Sequence, residues 1–283
     1  MAIEMLIREN PNKYIHHDQI FKQLLHTFLE EFLEAFFPEV HQHIDYSMLK
    51  PLSEEMFTDL IEGESRKADI IIETKLKDEE TLIIIHVEPQ SYRQPDFHER
   101  MYHYFSLLYN RYRKPILPIA IFAYNQKSNE KNQFQVTFPF FHVLTFEFLM
   151  LELKKMDWRL FINTNNPVAA ALLSKMGYTK TEKVQVKREF LRMLVKMELN
   201  PAKAELINGF FETYLSLNMR EEEELMEEIK QLNQEEAEQI FKLPNSWPEK
   251  GLKEGIEIKK RQIAHEMLKE GLPIDLNEKI TKK

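Results

Sequence analysis

The sequence predicts an α/β fold with a mixed central sheet flanked by helices, followed by a helical C-terminal region. Three observations predict it. The stretch Ala68–Ser91 places two β-branched, apolar arms around the charged turn Lys77-Asp78-Glu79-Glu80, the pattern of paired strands. Helix-periodic stretches lie on either side, over Asp18–Phe37 and Asp96–Tyr112. Beyond Phe146 the pattern changes to successive helical segments. Helix, three strands, helix and strand in the first half is the order of a sheet covered by helices.

From Asp18 to Phe37, the apolar residues Ile20, Phe21, Leu24, Leu25, Phe28, Phe32, Leu33 and Phe36 recur at three- and four-residue steps, describing one amphipathic helix. Pro38 follows its end, and Asp18 stands at its start as an N-cap. Glu30, Glu31 and Glu34 fall on or beside its polar face, from which a carboxylate is able to reach a metal held at the hairpin. Asp45–Leu60 reads as a first strand, its regularity limited by Pro51.

In the hairpin, a turn centred on Asp78 and Glu79 sets Asp69 opposite Glu88. Opposed residues share a face, with Cβ atoms roughly 4.5–5.5 Å apart. The strand period puts Gln90 on the face of Glu88. Two carboxylates at that spacing repel unless a cation lies between them, and a carboxylate pair beside an amide suits Mg²⁺, a hard cation that takes oxygen ligands. Acids solvated at strand ends are the other reading.

The stripe Met101, Tyr104, Phe105, Leu108 and Tyr112 predicts a second helix over Asp96–Tyr112, ended by Pro115. Arg93, His98, Arg100, His103, Arg111, Arg113 and Lys114 make this the most basic neighbourhood of the first half. Interleaved with tyrosines, it has the composition of a phosphate-backbone contact surface. A solvated helix face over core tyrosines explains it equally well. Ile116–Tyr124 reads as a strand buried on both faces, and Phe134–Phe141 as another. Helices are expected over Glu147–Met156, Pro167–Met176 with Gly177 as a stop, Lys187–Glu198 and Pro201–Leu217. Met219–Phe241 is strongly acidic with an apolar edge at Leu225, Ile229 and Leu232, which reads as a helix with a solvated charged face. A linker at Pro244–Pro248 and a charged tail, Gly251–Lys283, with a helix through Ile263–Lys269, complete the chain.

Composition narrows the function. The 283 residues, 43% of them hydrophobic, suffice for a sizeable core. Without cysteine, disulfides, zinc–thiolate sites and thiol catalysis are excluded. None of the six glycines falls in a phosphate-cradling loop, so a P-loop nucleotide hydrolase is not expected. The net charge of −8 argues against nucleic-acid binding driven by overall charge, though a local basic groove is compatible with it. No apolar run of membrane-spanning length and no signal peptide is evident, so no membrane association and a cytoplasmic location are expected. His16, His17, His41 and His43 accompany no nucleophile motif.

Four stretches occur in order: Ile15-His-His-Asp-Gln-Ile-Phe-Lys-Gln-Leu-Leu25, Ala68-Asp-Ile-Ile-Ile72, Ile85-His-Val-Glu-Pro-Gln-Ser91 and Arg100-Met-Tyr-His-Tyr104. Together they resemble the Rpn/YhgA-like family of recombination-promoting nucleases, also described as transposases, a branch of the PD-(D/E)XK nuclease superfamily. The resemblance is firmest over 15–125, weak over 130–245, and returns in the tail from Gly251. It implies a restriction-endonuclease-like core in a nuclease domain over 1–145, a helical extension over 146–243, and a linker and charged helical tail over 244–283.

By position, Asp69 matches the superfamily's central aspartate, Glu88 the following acid, and Gln90 the place where a lysine usually stands; the Rpn-like branch commonly has glutamine there. The implied reaction is Mg²⁺- or Mn²⁺-dependent hydrolysis of DNA phosphodiesters, linked to recombination or mobile elements. Asp69, Glu88 and the Pro89 carbonyl would hold the metal, with Gln90 positioning water or phosphate. Asp18, Glu31 and Glu34 are candidates for an additional acid, and Arg93 and Arg100 for contacts to DNA. Pro89 departs from the pattern by removing an N–H from the ladder. The alternative is a catalytically weak or inactive relative that binds DNA or protein, with the helical region or tail serving homo-oligomer assembly.

Overall fold

The computed structural model describes residues 11–52, 70–77, 82–90, 96–127 and 129–243. Its centre is a five-stranded mixed sheet in the order β1 (Ile44–Pro51), β2 (Ile70–Leu76), β3 (Leu82–Gln90), β4 (Ile116–Phe122) and β7 (Leu149–Glu152). The first two pairings are antiparallel and the last two parallel. Helix α4 (Phe97–Tyr112) makes the crossover that a parallel β3–β4 pair requires. A separate hairpin joins β5 (Gln133–Phe138) to β6 (Phe141–Glu147).

The hairpin register is the one the sequence predicts: Ile70 pairs with Val87, Ile72 with Ile85 and Thr74 with Ile83. Pro51 lies on edge strand β1, where a missing N–H does least harm to the ladder. Residues 53–60, the expected continuation of that strand, lie outside the described residues, as does the tail from 244.

Alternation along β3 splits the core into two layers. Ile83, Ile85 and Val87 enter one hydrophobic cluster, shared with Ile119 and Ile121 of β4 and with α1 (Pro11–Thr27), α2 (Leu29–Phe36), α5 (Pro167–Leu172), α6 (Lys183–Lys196) and α7 (Pro201–Tyr214). Phe190 stacks on Phe211 at 3.9 Å between ring centroids, and Phe21 meets Phe210 edge to face at 4.8 Å. On the opposite face, Ile84 packs with Ile71, Ala120 and Phe122 beneath α4 and the β5–β6 hairpin.

Several expectations are corrected. The first helix begins at Pro11, so Asp18 lies within it and is not its N-cap; proline suits the first turn because its missing N–H would be unpaired there anyway. The expected single helix to Phe37 breaks at Phe28, whose φ of −135° and ψ of 41° are not helical. Just before the break, the Thr27 hydroxyl donates to the Gln23 carbonyl at 2.8 Å, a back-bond that bends helices. Glu147–Met156 is not a helix but β7 and a short 3₁₀ turn, because β4 has an unpaired edge that Leu149–Glu152 satisfies. The 146–243 segment contributes β7 to the central sheet, and its helices share one apolar cluster with β2–β4.

The acidic segment comprises α8 (Met219–Lys230) and α9 (Gln234–Phe241), interrupted where Asn233 caps the second helix. Its charge is not wholly solvated. Lys183, Arg188 and Arg192 pair with Glu221, Glu228 and Glu236 at 2.9, 3.0 and 2.6 Å, so the basic side of α6 receives the acidic run. Partly exposed pairs contribute little energy individually, but three in sequence fix orientation. Among the described residues no helix is long and apolar enough to cross a membrane.

Gly177 closes a tight approach after α5. A Cβ there would lie 2.7 Å from the Lys154 carbonyl oxygen and 3.1 Å from that of Met156, both backbone atoms. Gly177→Ala is therefore expected to destabilise the fold by about 1–3 kcal/mol through overpacking, read by urea unfolding. Wild-type stability in that variant would contradict the close packing.

Candidate functional site

The alternation that sends Ile83, Ile85 and Val87 to one layer sends His86, Glu88 and Gln90 to the α4 side. All three are buried, Glu88 to 3% exposure. Glu88 lies beside Ala120 of β4, whose small side chain leaves room at that position. Asp96, with φ of 59°, turns the chain into α4, and aspartate tolerates this left-handed conformation better than most residues. The first turn of α4 then carries Arg100 over β3.

Arg100 Nη2 donates to Glu88 Oε1 at 3.3 Å, and the guanidinium rests 4.9 Å from the Phe97 ring centroid. His86 Nε2 lies 3.5 Å from the other carboxylate oxygen, and its ring meets Tyr104 edge to face at 5.4 Å. Gln90 Nε2 donates to Glu88 Oε1 at 3.4 Å and to the Pro89 carbonyl at 3.2 Å. A carboxylate, a guanidinium, an imidazole and an amide thus converge at the C-terminal end of β3.

The cluster is not saturated. Among the described residues, both His86 ring nitrogens, Gln90 Oε1 and Arg100 Nε are buried without a hydrogen-bond partner. Such atoms cost free energy unless a ligand, ion or water completes them, which makes the cluster a candidate binding site. Its donor set fits a hard cation in part: Glu88 and the Pro89 carbonyl are oxygen donors beside one another. Among the described residues no three His, Asp or Glu side chains are grouped to hold a metal. Asp69 and Arg93 lie outside the described residues.

Glu31 and Glu34 are not brought to Glu88. They belong to α2, whose Leu29, Phe32 and Leu33 pack on the opposite face of the sheet. There Glu34 accepts from the Asn166 amide at 3.1 Å, and burial raises the Glu31 carboxyl above its usual range.

The basic face of α4 divides in two. Arg100 turns inward to Glu88, and Lys114, just past the helix, reaches Glu73 at 2.6 Å. Arg111 and Arg113 are exposed beside Tyr112 and Tyr109. Sequence reasoning missed His86 and Tyr104 as members of the site. The signal for His86 was its parity with Glu88, two residues on in the same strand.

Comparisons with protein-family models, with curated proteins and with solved structures yield no match to this chain.

Proposed function

We propose that this chain is a metal-dependent DNA endonuclease of the Rpn/YhgA-like kind, built on a restriction-endonuclease-like core. The observation that carries the reading is the buried cluster at the end of β3, where Glu88 and the Pro89 carbonyl stand together under Arg100. The mixed sheet supports it: an antiparallel β1–β2–β3 meander is followed by a helical crossover to parallel β4.

Asp69, Glu88 and the Pro89 carbonyl would hold Mg²⁺ or Mn²⁺. The ion, when bound, supplies the positive charge that polarises the scissile phosphate and acidifies a water. Arg100 lies where it would neutralise phosphate charge, with its orphaned Nε as a spare donor. Gln90, whose Nε2 engages Glu88 and Pro89, keeps Oε1 available to orient water. His86 Nε2 stands 3.5 Å from the far carboxylate oxygen.

A second reading rests on the same contacts. Arg100 and Gln90 already engage Glu88 and the Pro89 carbonyl, the arrangement of a site used for DNA or protein binding without turnover. Cleavage of supercoiled plasmid in Mg²⁺ or Mn²⁺ separates the two. Wild type is expected to nick or linearise it, and Glu88→Ala and Asp69→Ala to cut at least about 100-fold more slowly, the scale of losing essential electrostatic stabilisation. Equal cutting by the variants would remove the site assignment; metal-independent DNA retention without cleavage by wild type would favour the binding module.

A further inference from the structure

The β5–β6 hairpin is covered at its base and bare at its tip. At the base, Phe134 stacks on Tyr102 at 5.2 Å between ring centroids and Phe146 tilts against Phe105 at 5.1 Å, so α4 covers this end. Phe134, Val136 and Phe138 alternate onto one face of β5, and Phe138 pairs with Phe141 across the ladder. The last pair on that apolar face is left uncovered: Phe138 is 52% exposed and Phe141 61%. Phe140, in the turn between them, is 86% exposed and stacks on Phe138 at 5.8 Å.

The hairpin is also uncharged. From Gln133 to Phe146 the sequence has no Lys, Arg, Asp or Glu, in a chain that is 30% charged. The polar groups of its other face bond to one another: His142 lies between the Thr137 and Thr145 hydroxyls, 3.0 Å from each, and Gln135 Nε2 donates to Thr145 at 3.4 Å. Among the described residues β5 and β6 pair only with each other, so each strand keeps an unpaired outer edge. Neutrality selects what covers this surface. A nucleic-acid backbone or an anionic membrane finds no Lys or Arg on the hairpin, and the net charge of −8 repels both. Two copies of the chain repel one another for the same reason, except where each presents a surface without charge.

We propose that the β5–β6 hairpin is a self-association surface, on which Phe138, Phe140 and Phe141 of two copies bury one another about a twofold axis. A twofold contact sets one patch against itself, which a neutral aromatic patch permits and a charged one opposes. The area agrees. A phenylalanine buries roughly 150–250 Å², so covering the exposed parts of these three in both copies removes on the order of 800 Å². The adjoining strand residues bring the total towards the roughly 1,200 Å² at which specific interfaces begin. The proposal is independent of the nuclease reading, and it puts assembly on the hairpin, away from the helical region and the tail.

The test uses the full chain, and the absence of cysteine makes it specific. Sedimentation velocity of wild type is expected to show a concentration-dependent monomer–dimer equilibrium. Phe140→Asp should weaken it at least about tenfold, because each copy would bury a carboxylate against its own counterpart. Phe140→Cys and Glu224→Cys, each supplying the sole thiol of its chain, are then treated with a short bismaleimide. Phe140→Cys should cross-link into covalent dimers, and Glu224→Cys, on the exposed side of α8, should not. A wild type that stays monomeric as its concentration is raised would overturn the proposal, as would a dimer unchanged by Phe140→Asp or one cross-linked through Glu224→Cys in place of Phe140→Cys. Flotation of monomeric wild type with phosphatidylcholine vesicles, lost in Phe140→Asp, would overturn it in favour of a neutral bilayer. Circular dichroism checks the fold of Phe140→Asp; should that variant not fold, Phe140→Ser carries the same comparison.

Discussion

Arg100→Met is expected to lower the unfolding free energy by about 3–5 kcal/mol, the largest stability loss of any single change at the candidate site. The reason is asymmetry. Glu88 is 3% exposed, and the substitution takes the guanidinium from an ionised group with little access to water while keeping apolar bulk over Phe97 and Tyr104. Urea unfolding of Arg100→Met, Glu88→Gln and the double variant measures it. The double variant should recover a substantial part of the loss, because the neutral amide no longer needs a counter-charge. Mg²⁺ adds a functional arm to the same experiment. If Glu88 helps hold a cation, millimolar Mg²⁺ should raise the melting temperature of Arg100→Met more than that of wild type, since the ion replaces the lost charge. Equal shifts would disconnect Glu88 from metal binding, and an undiminished stability in Arg100→Met would show that the pair is solvated.

Lys175 gives the second large effect, with a definite sign. Burial and the charge of Lys154 pull its ammonium down to about 8 from the usual 10.5. Between those values the unfolded chain holds a proton that the folded chain has released, so stability rises with pH. Below the lower value both states are protonated and the folded protein bears the whole cost of the buried charge, on the order of 3 kcal/mol. Lys154, also depressed by burial, acts in the same direction. Tyr178 opposes at higher pH: burial pushes its hydroxyl up to about 12, so stability is lost once the unfolded phenol ionises. The useful window is therefore from about pH 7.5 to 9.5, where Lys175 acts without Tyr178. Wild type should gain stability across it, and Lys175→Met should gain much less and be the more stable protein at the acid end. Parallel pH profiles for the two would contradict a buried ammonium at this position.

Much of the sheet was legible in the sequence because it is written locally. The arms around Asp78 and Glu79 fix the β2–β3 register, since one residue of slip would move Ile83, Ile85 and Val87 out of the larger apolar layer and His86 and Glu88 into it. The α4 stripe and the apolar run of β4 were read the same way. What escaped was decided by distant partners. Leu149–Glu152 has no strand signature beyond four residues and is a strand because β4 offers an edge. The glutamates of α8 and α9 look solvated until α6 supplies Lys183, Arg188 and Arg192.

The candidate site divides along the same line. Parity along one strand groups Glu88 with Gln90, but no pattern announces that Arg100 turns inward while Arg111 does not. Nor does it announce that Glu31 and Glu34 lie across the sheet. Lys175 was invisible for the opposite reason: it sits in an apolar stretch, Pro167–Met176, where a lysine reads as an ordinary surface interruption.

The late arrival of β7 bears on how the chain matures. During synthesis α1, α2, the hairpin and α4 emerge early, yet the outer edge of β4 waits for a neighbour some thirty residues downstream, and the layer over Ile119 and Ile121 waits for α5–α7 to join α1 and α2. A nascent chain that has reached residue 145 still shows part of one apolar sheet face to solvent or to a holdase chaperone. The Glu88–Arg100 cluster, assembled from earlier segments on the other face, would meet its neighbours well before the protein around it is able to close.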